Sequence, residues 1–452
     1  MTNGHEAAPD LSLFTDLYEL TMLQAYYAEG MTAPAAFDLF VRGLPPERNF
    51  LLACGLEQAL EYLERLRFDA AALAYLEALQ LFQPDFLDRL ATFRFTGSVR
   101  AMPEGTPAFA GEPLLEVVAP LPEAQLAETY LLNQVSFQTM IASKAARSVI
   151  DAGGRPVFDF GQRRTQGSDA GVKAARAAYI AGFASTSSVL AGQRYGIPVT
   201  GTMAHSYIQA HDSEREAFRA FTRMYPATVL LVDTYDTLAG VREVIRLAGE
   251  LGADFEVRAI RLDSGDLEAL SRQARQLLDA AGLQRVGIVV SGGLEERSIA
   301  RLVGAGAPIA TFAVGTQMGI SADAPALDTV YKLVEYDGRG RIKLSSRKAT
   351  LPGRKQVSRQ FEAGSAVRDR VTLAGEAAVG APLLREVMRD GRRLEVPDAN
   401  LEAARERARA GIAQLPARLR SLDAVEAPYP VEVSAGLLEA DAQARRALTR
   451  GD

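Results

Sequence analysis

A single cysteine, Cys54, serves a chain of 452 residues, so no intramolecular disulfide can brace it. Long apolar runs are missing too: none approaches the ~20 residues needed to cross a bilayer. Charge of one sign never accumulates. Fifty Lys and Arg are interspersed with 56 Asp and Glu, for a formal net charge of −6, which makes nucleic acid an unpromising partner. The opening MTNGHEAAPD has no basic stretch followed by an apolar one, as an export signal would. A cytoplasmic protein with neither a membrane nor a nucleic-acid partner is therefore expected. Histidine is sparse, with only His5, His205 and His211. The six-residue spacing of the last two, with no cysteine nearby, is not a usual zinc pattern.

What the chain does have is hydrophobic content, 48% of all residues, ample for a sizeable core. Between residues 155 and 316 it is arranged as seven short apolar runs: RPVFDFG, GFASTSS, IPVTGTMAH, TVLLVDTYD, EVRAIRLDSGD, RVGIVVSGG and PIATFAVGT. Each ends in a compact polar cluster, and most lead into a helix-like stretch. Continuous β-branched and apolar residues without alternation suit strands buried on both faces. The spacing fits βαβ units. An α/β protein is expected, built on an irregular seven-stranded β/α barrel over 136–330. In such barrels the chemistry sits at the carboxyl ends of the strands, so Phe160, Ser187, His205, Asp233, Asp263, Gly293 and Gly315 would share one mouth.

The flanks read differently. Residues 1–135 mix helices such as LEQALEYLERL with the Gly- and Pro-punctuated GSVRAMPEGTPAFAGEPLLEVVAP, as an N-terminal α+β domain would. From 331 to 452 a hairpin-like YKLVEYDGRGRIKLSS, a basic loop RKATLPGRKQVSR and charged helix form a C-terminal extension, expected to complete the N-terminal domain and add helices. No low-complexity segment or short repeat appears.

The rim residues carry the chemistry. Gly292 with Gly293, and Gly315 with Thr316, end the last two runs. Glycine alone can serve a turn, but the tandem falls where barrel enzymes bind phosphate. Asp233 and Asp263 offer hard oxygens to Mg²⁺, to ribose hydroxyls or to growing positive charge. Asp236 and Asp266 also read as helix N-caps. Arg163 and Arg164 are cationic forks suited to phosphate. Phe160 offers either a ring face or core packing. His205 is either a satisfied core group or a nucleophile or acid/base.

Together DLYELTM, FDFGQRRTQGSDAG, GFASTSS, GTMAHSY, LVDTYDT, RLDSGDL, SGGL and VGTQ closely resemble the nicotinate phosphoribosyltransferases, which are type II phosphoribosyltransferases. The resemblance runs in order over about residues 10–440 and includes RKATLPGRKQV. It implies that nicotinate and 5-phosphoribosyl 1-pyrophosphate give nicotinate mononucleotide and pyrophosphate, coupled to ATP hydrolysis, as the entry to NAD salvage. It also implies phosphorylation of His205, and a pyridine ring held between Phe160 and a Tyr18 from the partner subunit of a homodimer with shared active sites. Arg261 would lie beside that ring. Arg163 would hold phosphate, Asp233 and Asp263 would steer ribose and Mg²⁺, and Gly292, Gly293, Gly315 and Thr316 would cradle the 5′-phosphate. Arg347, Lys348, Arg354 and Lys355 would touch ATP or pyrophosphate, unless they are solvated surface charge.

Two other roles fit much of the same pattern. Nicotinamide phosphoribosyltransferase has a related barrel, but the resemblance places an aspartate in it where this chain has Ser187. Serine, neutral and able to donate to a carboxylate, favours the acid. The other rival is a catalytically silent barrel that only binds.

Overall fold

The computed structural model describes residues 11–345, 350–377 and 379–450. The chain forms two compact units, one of Met1–Met140 with Ala326–Asp452 and the other of Ile141–Pro325.

The unit Ile141–Pro325 is built on six parallel strands: β1 (Val157–Asp159), β2 (Ser185–Thr186), β3 (Val229–Leu231), β4 (Ala259–Leu262), β5 (Gly287–Val290) and β6 (Thr311–Val314). Their order across the sheet is β2-β1-β6-β5-β4-β3. Leu230, Ile260, Leu262, Val290, Phe312 and Val314 are completely buried, as strands covered on both faces require. The expected seventh strand is not there. Of IPVTGTMAH, only Val199 pairs with the sheet, in a single bridge to Thr186. Pro198 has no N–H to give, and Val199 is half exposed, so nothing extends the pairing. Among the described residues no strand pairing joins β3 back to this segment. The sheet is a curled half-barrel rather than a closed seven-stranded barrel.

Helix caps fix the loops at the strand ends. Ser188 accepts from the Ala191 N–H, Asp236 from Ala239 and Asp266 from Ala269, so both aspartates fulfil the capping reading. Gly240, in the helix Thr237–Leu251, lies so close to the sheet that a Cβ there would stand 2.2 Å from the Val232 carbonyl oxygen. A buried ionic cluster lies in the same unit. Lys144 Nζ meets Glu296 Oε2 at 2.7 Å and Asp323 Oδ1 at 3.0 Å, and Arg147 Nε meets Glu296 Oε1 at 3.0 Å.

The other unit is antiparallel at its centre. Pro34–Val41 pairs on one side with Pro113–Pro120 and on the other with Thr329–Tyr336, so the two ends of the chain share one seven-stranded sheet. A second sheet holds Lys355–Glu362, Ser365–Leu373 and Val431–Val433. Inside it Arg359 forks onto Asp369, with Nε 2.9 Å from Oδ1, while the Tyr429 hydroxyl donates to the same oxygen at 2.8 Å. The Phe109 and Tyr429 rings, stacked at 3.9 Å, lie against that guanidinium. Among the described residues, no helix is long and apolar enough to cross a membrane.

Candidate active site

The site begins where β1 stops. Asp159 is buried and accepts from the Gly161 N–H and the Thr186 hydroxyl, each at 2.7 Å, with its carboxyl pushed up by burial. Its carbonyl takes the Ser187 N–H at 2.8 Å, which fixes the end of β2 beside that of β1. Phe160, half buried, follows at once. Over its ring, at 5.3 Å from the centroid, lies the guanidinium of Arg261 from β4.

Arg261 is held on every side. Nε donates to Ser291 Oγ at 2.8 Å, one terminal nitrogen to Thr202 Oγ1 at 3.1 Å and the other to Asp263 Oδ1 at 2.6 Å. The Ser291 hydroxyl donates to that same carboxylate oxygen. Burial pushes the Asp263 carboxyl up, but the Ser291 hydrogen bond and the Arg261 charge outweigh it and hold the group below its ordinary value. Asp263 is an anion throughout the neutral range.

Its other oxygen, Oδ2, stands 3.8 Å from His205 Nε2. His205 opens the short helix His205–Gln209, with Nδ1 3.1 Å from Thr234 Oγ1. Asp233 is bound through Oδ2 to the Asp263 N–H at 2.8 Å and the Ser264 hydroxyl at 2.7 Å. Asp233 Oδ1 is buried and has no hydrogen-bond partner. That orphaned oxygen, with Asp263 Oδ2, is a donor set a small hard cation accepts. Among the described residues no group of three or more His, Cys, Asp or Glu could hold a metal ion. Any Mg²⁺ here would need substrate oxygens to complete its shell.

The glycines differ in what they tolerate. Gly292 has φ +84°, and a Cβ on it would stand 1.7 Å from the Asp263 carbonyl oxygen; Gly293, at φ +65°, faces open space. Gly315 precedes the short helix Thr316–Gly319 and approaches the Phe160 carbonyl. Arg163 is exposed on the turn Gln162–Arg164.

Phe160, Ser187, Asp233, Asp263 and the glycines therefore lie just after strand ends of one unit, with Arg261 near the end of β4, Arg163 on the turn after β1, and His205 at the start of a short helix after the segment that forms no strand. Thr202, Thr234, Ser264 and Ser291, which the sequence reading did not single out, hold them. Tyr18 belongs to the other unit, exposed on the helix Leu17–Ala28 above a buried Glu19. Arg347 and Lys348 lie outside the described residues. Lys355 is buried with its ammonium 2.8 Å from Asp38 Oδ2, and Arg354 reaches Glu116 Oε1 at 3.0 Å, which favours a structural part for both.

Burial pushes the Glu19 carboxyl up to about 7 from an ordinary 4.5, against hydrogen bonds from Thr15 and Thr129. A carboxyl raised on folding adds stability that is complete below its unfolded value and lost as pH climbs through the folded one. The melting temperature of Glu19→Gln, relative to the unmodified protein, should thus rise between pH 4.5 and pH 8; a constant difference by calorimetry would contradict this.

The model of the nicotinate phosphoribosyltransferase (NAPRTase) N-terminal domain matches residues 13–136, and that of the NAPRTase family matches 156–362. A nicotinate phosphoribosyltransferase of Mycobacterium tuberculosis is 53% identical over 438 residues, covering 97% of this chain and 95% of the relative. The chain belongs to the nicotinate phosphoribosyltransferase family. The crystal structure of the human nicotinic acid phosphoribosyltransferase superposes with a TM-score of 0.84 at 31% identity, covering 95% of this chain and 99% of that one. A nicotinate-nucleotide pyrophosphorylase from Pyrococcus furiosus gives 0.74 at 26% identity, over 92% and 99%. The nicotinate phosphoribosyltransferase family segment at 156–362 contains the whole parallel sheet and every rim residue described above.

Proposed function

We propose that the chain joins nicotinate to 5-phosphoribosyl 1-pyrophosphate, giving nicotinate mononucleotide and pyrophosphate, with ATP hydrolysed through a phosphohistidine at His205. This is the entry of nicotinic acid into NAD salvage, in the cytoplasm. The observation that carries the reading is Arg261, fixed over Phe160 by Thr202, Asp263 and Ser291. An aromatic face and an immobile guanidinium side by side suit a flat ring bearing a carboxylate.

The pyridine nitrogen attacks the anomeric carbon with its own lone pair while the carbon–oxygen bond to pyrophosphate breaks. No side-chain base is needed. Positive charge grows on the ribose between Asp233 and Asp263, and these carboxylates stabilise it. Gly292, Gly293, Gly315 and Thr316 present backbone amides to the 5′-phosphate, with Arg163 as an added cation. Asp233 and Asp263 would hold Mg²⁺, which when bound would supply positive charge against the pyrophosphate. A homodimer would bring Tyr18 to the outer face of the ring in the partner's site. In support, Leu13, Phe14, Leu17 and Tyr18 form an exposed apolar strip.

The test is pyrophosphate release with Mg²⁺ and ATP, nicotinate against nicotinamide. Release with nicotinate alone is expected; a preference for nicotinamide would favour the rival enzyme, and release with neither would point to another ring substrate or a silent barrel. Ser187→Asp should weaken nicotinate far more than nicotinamide, by about tenfold or more in kcat/KM, because it sets a carboxylate against a carboxylate. Equal loss for both substrates would remove Ser187 from the specificity account.

A further inference from the structure

The imidazole of His205 is held at one nitrogen and open at the other. Nδ1 lies 3.1 Å from Thr234 Oγ1. The near neighbour of Nε2 is Asp263 Oδ2 at 3.8 Å, too far for a hydrogen bond, and the side chain is 40% exposed. The threonine is fixed on both sides of its place in the chain. One residue earlier, Asp233 is tied to the Asp263 N–H and the Ser264 hydroxyl. Two residues later, Asp236 caps the helix Thr237–Leu251, which Gly240 lets press against the Val232 carbonyl. A hydroxyl on so short and tethered a loop is a fixed reference for the ring.

We propose that Thr234 is a positioning residue for His205. It accepts the hydrogen bond from Nδ1–H, selects that tautomer, and leaves the lone pair of Nε2 on the side of Asp263 as the phosphoryl acceptor. The inference rests on the phosphohistidine reading above. In the step itself the Nε2 lone pair forms a bond to the γ-phosphorus of ATP, and the bond from that phosphorus to the bridging oxygen breaks. ADP leaves with the electron pair. Nδ1 keeps its proton, still donated to Thr234, so the imidazolium that forms has a partner ready. A hydroxyl suits this task better than a carboxylate, because it orients the ring without setting more negative charge against an incoming polyphosphate.

With only three histidines in the chain, the ring can be followed directly. In protein labelled with ¹⁵N-histidine, the resting His205 should show mainly the Nδ1–H tautomer. After loading with Mg²⁺ and ATP, phosphorus should be coupled to Nε2. Thr234→Val should lose the tautomer preference and form phosphohistidine about tenfold more slowly, and Thr234→Ser should restore both. A threonine that served only the fold would leave the tautomer ratio unmoved. Phosphorus on Nδ1, or Thr234→Val phosphorylated at the unmodified rate with an unchanged tautomer ratio, overturns the role of Thr234 alone. Absence of any acid-labile phosphohistidine in the unmodified protein overturns the reading beneath it.

Discussion

Asp263→Asn is expected to lower kcat/KM for nucleotide formation by about a hundredfold to a thousandfold, the range seen when one preorganised electrostatic contact to a developing charge is removed. The residue has three duties at once, two of them through its carboxylate. Oδ1 anchors Arg261 at 2.6 Å and takes the Ser291 hydroxyl. Oδ2 faces His205. The backbone N–H orients Asp233 at 2.8 Å. Asparagine preserves the shape but loses the charge, and if its amide nitrogen turned to Arg261 it would set donor against donor. Steady-state rates with nicotinate would decide: retention of more than a tenth of the unmodified kcat/KM would deny Asp263 a direct part.

Gly292→Ala should be nearly as damaging, and the neighbouring position provides its control. A Cβ at 292 would overlap the Asp263 carbonyl oxygen at 1.7 Å, so the backbone between β5 and the following helix must move and carry its amides with it. Misplacing such donors by about an ångström costs on the order of a hundredfold in rate. Gly293→Ala has a comparable positive φ but open space around the added carbon. It should cost the strain of the left-handed backbone, about 1 kcal/mol of stability, and a smaller loss of activity, because its amide would face the phosphate but is not displaced by protein contact. A much larger loss of activity in the first variant than in the second, with both folded by circular dichroism, is the expected pattern; equal loss in both would deny the contact with the Asp263 carbonyl any part in the effect.

Much of this site could be read from the residues, because parallel strands buried on both faces leave continuous apolar runs whose polar ends mark the rim. For Asp236 and Asp266 the position after a strand leaves capping and a part in the chemistry both open, and the structure shows them capping. The hydroxyls were not. Thr202, Thr234, Ser264 and Ser291 each stand within the quoted motifs, yet Ser and Thr are so common in turns that only their distances to Arg261, His205 and Asp233 give them meaning. IPVTGTMAH misled for a related reason: its composition is that of a strand, but Pro198 cannot donate, and only the folded context shows pairing stopping at one bridge. Lys355 reads from its basic loop either as a contact to ATP or pyrophosphate or as solvated surface charge, and its buried partner Asp38 is 317 residues away in the chain, beyond any local pattern.

The pairing of Pro34–Val41 with Thr329–Tyr336 dictates an order of events at the ribosome. The first strand leaves the exit tunnel early, yet one of its edges has no neighbour until residue 336 has been made. At ordinary elongation rates, the roughly 300 residues between them take about 15 to 60 s. Throughout that interval an apolar strand edge stands open, the kind of surface on which nascent chains aggregate. The stretch Ile141–Pro325 is complete sooner and is free to fold while the wait continues. Synthesis of this protein should therefore depend on a chaperone that shields the amino-terminal segment, and a chain released before residue 336 should be insoluble.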